Sequence, residues 1–357
     1  MVKLPPLPFK ITDAGEEHPL VAAALRGRRH FEPCWCGSGR KFKKCHQLRE
    51  QETPLTLGQT LHEQRRVFWQ VRECMHPHAS QAICAGKVVD SHTIQRKGPL
   101  HRIVDDRNHV CQLAASPPDD IGLVEVGWKQ ASVFPGYCAK HDSEVFEPLE
   151  RTPFTGTHEQ CVLQSYRGVC NELYKKRALI DSLEFQRGVL DRGCDLNEQI
   201  SRQLSIATNI EGQSKSRDEL EKLWRTFEEA VTQKQYGRFL SRCYFFSGEL
   251  NVTSSGALHT EFDFAGTKLI DMWDLNVDAQ MLSHSVMSTE SGGTIVFTWL
   301  VDEPLPAAVV RSFDAVPNVD KGDVFVQYCF LNCEKWASPI FTDTLLSLRS
   351  VFRTQPG

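Results

Sequence analysis

Residues 34–46 read Cys34-Trp-Cys36-Gly-Ser-Gly-Arg40-Lys-Phe-Lys-Lys44-Cys45-His46. Three thiols and an imidazole fall within this stretch as C-x-C-x8-C-H. Three thiolates and one imidazole fill a tetrahedral Zn²⁺ shell and leave no position open for water, so a site of this kind is structural. Gly37 and Gly39 permit the tight turn around the ion, and the Lys and Arg residues between the ligand pairs favour thiolate over thiol. Residues 1–50 are otherwise rich in Pro, Gly and basic side chains, with one short helical candidate at Leu20–Leu25. So little apolar text needs a staple, and the expectation is a small zinc knuckle.

The segment Pro33–Gln47 closely resembles the SEC-C zinc motif, first described at the carboxyl end of the SecA translocation ATPase. All four ligand positions and the Gly-Ser-Gly step match. The resemblance implies a small basic knob that docks on a protein, ribosome or nucleic-acid surface, and it carries no reaction with it.

The whole chain frames that module. Its 357 residues set an expectation of two or three domains, and 41% hydrophobic with 24% charged residues excludes whole-chain disorder. No apolar run approaches the roughly 20 residues that span a bilayer, so no membrane is expected. The amino terminus, MVKLPPLPFKITDAGEEHPL, lacks an uninterrupted apolar region and carries acids early, which reads as a cytoplasmic protein. Thirteen cysteines without an export signal favour metal binding over a disulfide framework. The net charge is only −4, yet residues 1–72 hold thirteen Lys/Arg against seven Asp/Glu. That basic end is the candidate polyanion-binding segment. No GxxxxGK[ST] or GxGxxG loop occurs, so neither ATP-driven nor dinucleotide chemistry is expected.

Residues 51–72 read as a connecting helix with a basic face through Arg65, Arg66 and Arg72. Residues 73–155 then hold short strand-like pieces (Lys87–Val89, His109–Leu113, Leu123–Val126) and a second Cys/His cluster. Cys74 and Cys84 supply two zinc ligands, and the C-x-x-H pair Cys138/His141 closes the tetrahedron; His76 or His78 is an alternative to either early cysteine. His92 stands on a strand just past the first half, His109–Leu113 is the expected second strand, and Cys138–Phe146 starts a helix.

This order of parts resembles the HNH, or ββα-metal, endonuclease family. The resemblance implies that His92 is the general base, that Asp142 binds a catalytic Mg²⁺ or Mn²⁺, and that Asn108 takes the middle Asn position. Metal-assisted phosphodiester hydrolysis of DNA or RNA follows, with Lys140, Arg96 and Arg102 as phosphate contacts. Phage defence is a further implication of that resemblance. The sequence departs from the family at the last knuckle, where His141 replaces a cysteine, and before the base, where a residue that often helps bind metal is here Ser91, with Asp90 one place earlier.

Residues 156–357 read as a helical layer followed by an antiparallel sheet, so the chain as a whole is α+β. A helix is expected over Ser216–Gln235, with Ser216 and Glu219 as a capping box and Leu220, Leu223, Trp224, Phe227, Ala230 and Val231 on one face. Thr294–Val301 and Val324–Leu331 are expected as buried strands, and Thr260, Phe262 and Phe264 alternate as on a half-exposed one. Most of Cys161, Cys170, Cys194, Cys243, Cys329 and Cys333 read as buried free thiols. Besides the nuclease, two functions remain open. One is a zinc-stapled nucleic-acid or ribosome-binding module. The other is an adaptor that meets a protein partner through the SEC-C module or the carboxyl-terminal domain.

Overall fold

The computed structural model describes residues 18–26, 29–116, 120–272, 274, 276–332 and 335–337. Cys333 and most of the amino-terminal stretch read above for export lie outside these residues. In chain order the elements are α1 (Pro19–Leu25), α2 (Leu57–Phe68), β1 (Val88–His92), β2 (His109–Ser116), β3 (Asp120–Gly127), β4 (Val133–Cys138), α3 (Ala139–Val145), α4 (Glu147–Glu150), α5 (His158–Arg187), α6 (Leu196–Gln233), β5 (Phe239–Phe246), β6 (Val252–His259), β7 (Met281–Thr289), β8 (Gly292–Leu300), α7 (Pro304–Ala315), α8 (Lys321–Asn332) and β9 (Lys335–Ala337). The α+β class expected from the sequence is what forms. No described helix is long and apolar enough to cross a membrane.

The chain divides into two units, one of Met1–Val71 with Lys175–Asp218 and one of Arg72–Tyr174 with Glu219–Gly357. In the first, Leu20, Val21, Ala23 and Ala24 of α1 are buried together with Cys34, Trp35, Cys36 and Cys45 and with Ile200 of α6. A seven-residue helix is too short to stand alone in water, so packing of its apolar face against the cysteine module is what keeps α1 helical. The connecting helix α2 starts on a reciprocal capping box between Thr56 and Gln59.

The second unit holds two sheets. β1 and β4 pair antiparallel, from Val88 opposite Cys138 to His92 opposite Val133. The other sheet has the order β3-β2-β9-β6-β7-β8-β5. On one of its faces Leu282, Val286, Ile295, Phe297 and Trp299 pack against Val309, Val310 and Phe313 of α7 and Phe325 and Cys329 of α8. Phe297 lies 5.4 Å from Phe313 and 5.3 Å from Phe325, both edge-on. Ser255 instead meets α5, accepting from Gln164 Nε2 at 3.1 Å.

Four sequence expectations are corrected here. Val324–Leu331 is helical, within α8, because Phe325 and Cys329 stand one turn apart and both face the aromatic core. Ser216 caps nothing: α6 already starts at Leu196, where Asp195 accepts from the Glu198 N–H at 2.9 Å, and Glu219 turns to His259 at 3.2 Å. Thr260, Phe262 and Phe264 follow β6 as irregular chain, in which Asp263 accepts from the N–H groups of Ala265 and Thr267. The expected second strand of the ββα unit, His109–Leu113, belongs to β2 in the large sheet, and β4 takes its place beside β1. Cys161 and Cys243 also meet at 3.2 Å, a proximity hidden by their distance along the chain.

Glu303, just before α7, is a half-buried acid whose Oε2 is buried with no hydrogen-bond partner. Burial pushes its carboxyl up to about 7, against a hydrogen bond from the Met281 N–H. The fold therefore favours the protonated form, and the benefit is lost as the pH rises from the ordinary carboxyl value through about 7. Glu303→Gln should stabilise the fold near pH 8, by at most about 1 kcal/mol because the side chain is partly solvated, and so raise the melting midpoint there while leaving it unchanged near pH 4. Equal gains at both pH values would contradict this.

Candidate metal centres

The first cluster closes as its spacing implied. The ligand atoms of Cys34, Cys36, Cys45 and His46 lie within 4.8 Å of one another, and all four residues are buried. Ligands of a tetrahedral zinc ion stand about 3.5–3.8 Å apart, given Zn–S near 2.3 Å and Zn–N near 2.0–2.1 Å. Here Cys36 Sγ is 3.6 Å from Cys45 Sγ, and His46 Nδ1 is 3.2 Å from the sulfurs of both Cys34 and Cys45. Gly37 and Gly39 have φ of 79° and 70°, the left-handed turn that only glycine adopts without strain.

The electrostatics of the trio call for a cation. The sulfurs of Cys36 and Cys45, and then burial, push the Cys34 thiol up, whereas hydrogen bonds from Cys34 and Cys36 pull Cys45 down. Without a cation the crowded sulfurs of Cys34 and Cys45 are thus pushed in opposite directions. A divalent ion is what lets three ionise together.

Behind His46 stands a buried carboxylate that no local spacing predicts. His46 Nε2 lies 2.6 Å from Asp191 Oδ2, with both side chains fully buried. Gln203 donates to the same oxygen at 2.7 Å, and Arg49 Nε pairs with Oδ1 at 3.2 Å. Arg49 also donates to the Gly188 carbonyl at 2.8 Å. Burial works against the Asp191 charge, but His46, Gln203 and Arg49 outweigh it and hold the carboxyl below its ordinary value. An acceptor at Nε2 fixes the tautomer that presents Nδ1 to the metal, the carboxylate–histidine–zinc arrangement.

The second cluster joins Cys74, Cys84, Cys138 and His141, again with ligand atoms within 4.8 Å. His141 Nδ1 is 3.3 Å from Cys74 Sγ, 3.8 Å from Cys84 Sγ and 3.3 Å from Cys138 Sγ. Cys138 ends β4 and His141 lies in the first turn of α3, so the cluster ties the segment before β1 to the strand–helix junction. Burial pushes Cys74 up to about 11; at Cys138 it is outweighed by the N–H groups of His141 and Ala85, and the thiol is pulled down. Both clusters have the donor set of a four-coordinate zinc site.

Of the two alternative histidines, His76 has another occupation and His78 is exposed. His76 stacks on His141 with centroids 3.9 Å apart and planes 7° from parallel, and its Nδ1 accepts from the His78 N–H at 3.2 Å. Burial, with His141 alongside, lowers its pKa to about 4, so the ring stacks as the neutral form. Zinc content by elemental analysis should be unchanged in His76→Ala and His78→Ala and should fall by about one ion per chain in Cys84→Ser. A loss in His76→Ala would return that ring to the ligand set.

His92 ends β1, and its Nε2 is buried without a hydrogen-bond partner; Asp142 Oδ1 on α3 and the Ser91 hydroxyl are in the same state. Burial lowers the His92 pKa, Arg96 and Arg167 lower it further, and Asp142 and Glu150 oppose them. The ring is therefore a neutral imidazole at neutral pH, with charged groups of both signs around it. Asp90 turns away to an ion pair with Arg72 at 2.6 Å. Asn108 occupies an exposed turn entering β2, at a φ of 61°, where its N–H donates to the Asp105 carbonyl. Of the expected phosphate contacts, Arg102 is paired with Glu249 at 2.7 Å, Lys140 reaches the Ile83 carbonyl at 3.5 Å, and Arg96 lies over Trp128 at 5.7 Å.

Arg167 and Glu150 escaped the sequence reading. A signal existed for Arg167: it interrupts a helical face made by Leu163, Cys170 and Tyr174, all buried. An arginine embedded in such a stripe needs a partner or a ligand.

Residues 32–48 match the family model of the SEC-C motif. No curated protein and no solved structure matches the chain. The protein thus carries a SEC-C motif whose four zinc donors converge, together with a second Cys/His cluster fit for zinc.

Proposed function

We propose that the segment 72–174 is a metal-dependent phosphodiesterase centre of HNH-like type that acts on nucleic acid. The observation that carries the reading is the pair of orphaned buried atoms, His92 Nε2 and Asp142 Oδ1, on a strand end and a helix start. That strand, its antiparallel neighbour β4 and the helix α3 follow the ββα order, with a Cys/His cluster at the junction. A neutral imidazole held by burial can take a proton from water at neutral pH. Asp142, with its free oxygen, would hold Mg²⁺ or Mn²⁺, which when bound stabilises charge on the departing oxygen. Phage defence is an implication of the family resemblance and has no residue of its own to support it.

Purified full-length protein incubated with plasmid DNA or RNA and Mn²⁺ tests the proposal. Cleavage should fall at least about 100-fold in His92→Ala, the contribution expected of a positioned general base. Cleavage unchanged in that variant would end the reading.

A second reading, a binding module, draws on the exposed face of the SEC-C segment. Phe31 is 68% exposed, with Lys43 Nζ 4.2 Å and Lys41 Nζ 5.9 Å from its ring centre. Nucleic-acid binding through this face would fall steeply with salt and persist in His92→Ala.

A further inference from the structure

The side chain of Arg167 is 1% exposed, yet its donors are only partly used. Nη2 pairs with Glu150 Oε1 at 2.8 Å, while Nε and Nη1 are buried with no hydrogen-bond partner. The guanidinium lies 4.2 Å over the Phe146 ring, which covers one of its faces. One turn earlier on α5, Gln164 donates to the carbonyl of Thr93 at 3.2 Å. That bond holds this face of α5 against the residue that follows His92. A buried guanidinium with unmatched donors is costly to keep.

The Arg167 partner is also unusual. Glu150 is the last residue of α4, its side chain is 40% exposed, and one carboxylate oxygen meets the guanidinium. The pair thus has a fixed, buried cation and a solvent-touching anion. A phosphodiester offers two unesterified oxygens, the geometry that the guanidinium fork accepts best.

We infer that Arg167 is the anion-binding residue of the His92 site, and that a phosphodiester oxygen takes the place which the Glu150 carboxylate fills in the free protein. The identity of the anion as nucleic-acid backbone rests on the phosphodiesterase reading; the exchange of Glu150 for an anion does not. Glu150 is a stand-in that keeps the buried cation paired until substrate arrives. Its exposed side chain leaves toward solvent, and no bond is made or broken. A merely structural Arg–Glu tie between α5 and α4 predicts something else: both variants weaken the fold, and neither changes anion binding in a chosen direction.

Calorimetric titration of the zinc-loaded full chain, without added Mg²⁺ or Mn²⁺, separates the two. The probes are the dinucleotide dTpdT, which carries a single phosphodiester, and inorganic phosphate. Glu150→Gln should bind dTpdT more tightly than wild type, and Arg167→Gln should lose about tenfold or more, the usual value of a hydrogen bond to a charged group. Arg167→Lys keeps the charge without the fork and should bind more weakly than wild type and more tightly than Arg167→Gln. Should Arg167→Gln fail to fold, Glu150→Gln and Arg167→Lys still carry the test.

Weaker or unchanged binding in Glu150→Gln, unchanged binding in Arg167→Lys, or no binding of dTpdT to wild type overturns the inference. Inorganic phosphate binding as tightly as dTpdT would assign the site to free phosphate and overturn the diester. Failure of the phosphodiesterase reading looks different. Arg167-dependent binding of dTpdT without cleavage removes that reading alone, and His92-dependent cleavage with binding indifferent to Glu150→Gln removes this inference alone.

Discussion

Cys45→Ser should lower the zinc content by about one ion per chain and open residues 19–51 to proteolysis. Structural zinc contributes about 10–16 kcal/mol of apparent binding free energy in small stapled modules, and where the site does not exist in the unfolded chain that energy is folding energy. The core of this unit explains why the loss would spread. Cys34, Trp35, Cys36 and Cys45 are themselves buried members of the cluster that holds α1 and Ile200 of α6. Without the ion, thiols crowded to 3.6 Å cannot all ionise, and the packed cysteines lose the reason for their convergence. Elemental analysis and limited proteolysis with mass mapping read both effects. Intact protection of residues 19–51 in a variant that has lost its zinc would show that apolar packing suffices.

The second large effect is expected at Asp191, 145 residues along the chain from His46. Asp191→Ala leaves Arg49, 3% exposed at its side chain, and the His46 Nε2–H without their acceptor. Breaking a buried pair in this way costs about 3–5 kcal/mol. Asp191→Asn keeps an acceptor oxygen and loses the charge, so its cost should be smaller, and zinc affinity should fall by about 10–100-fold in the alanine variant. The carboxyl is held below its ordinary value, so its contribution is full at neutral pH and is lost only as the pH falls through the carboxylate range. Denaturant midpoints and competition with a chromogenic zinc chelator measure the two quantities. Wild-type zinc affinity in Asp191→Ala would detach the carboxylate from the metal site.

Legibility in the sequence followed distance along the chain. Cys34 to His46 closes a short loop, so the ligand set could be read from spacing alone, and the Cys138/His141 pair was legible from its C-x-x-H spacing. The apolar run Val324–Leu331 was not. Its β-branched and aromatic residues suit a buried strand as well as a buried helix, and the contacts of Phe325 and Cys329 with Phe297, Phe313 and their neighbours decide for the helix. Alternation at Phe262 and Phe264 was real, since Phe262 is 48% exposed and Phe264 lies 4.7 Å from Phe313. Turns built on Asp263, however, keep that stretch out of the sheet.

By itself, then, the sequence determined the α+β class, the two groups of soft ligands and His92 as a strand residue between the halves of the second group. Each of these depends on spacing, periodicity or residue chemistry that acts within a few turns of chain. Only the tertiary structure decided that β4 pairs with β1, that Asp191 backs His46, and that Arg167 and Glu150 stand beside His92. Those choices come from burial. A charge withdrawn from water must find its counter-charge in three dimensions, and no local spacing records where that partner will be.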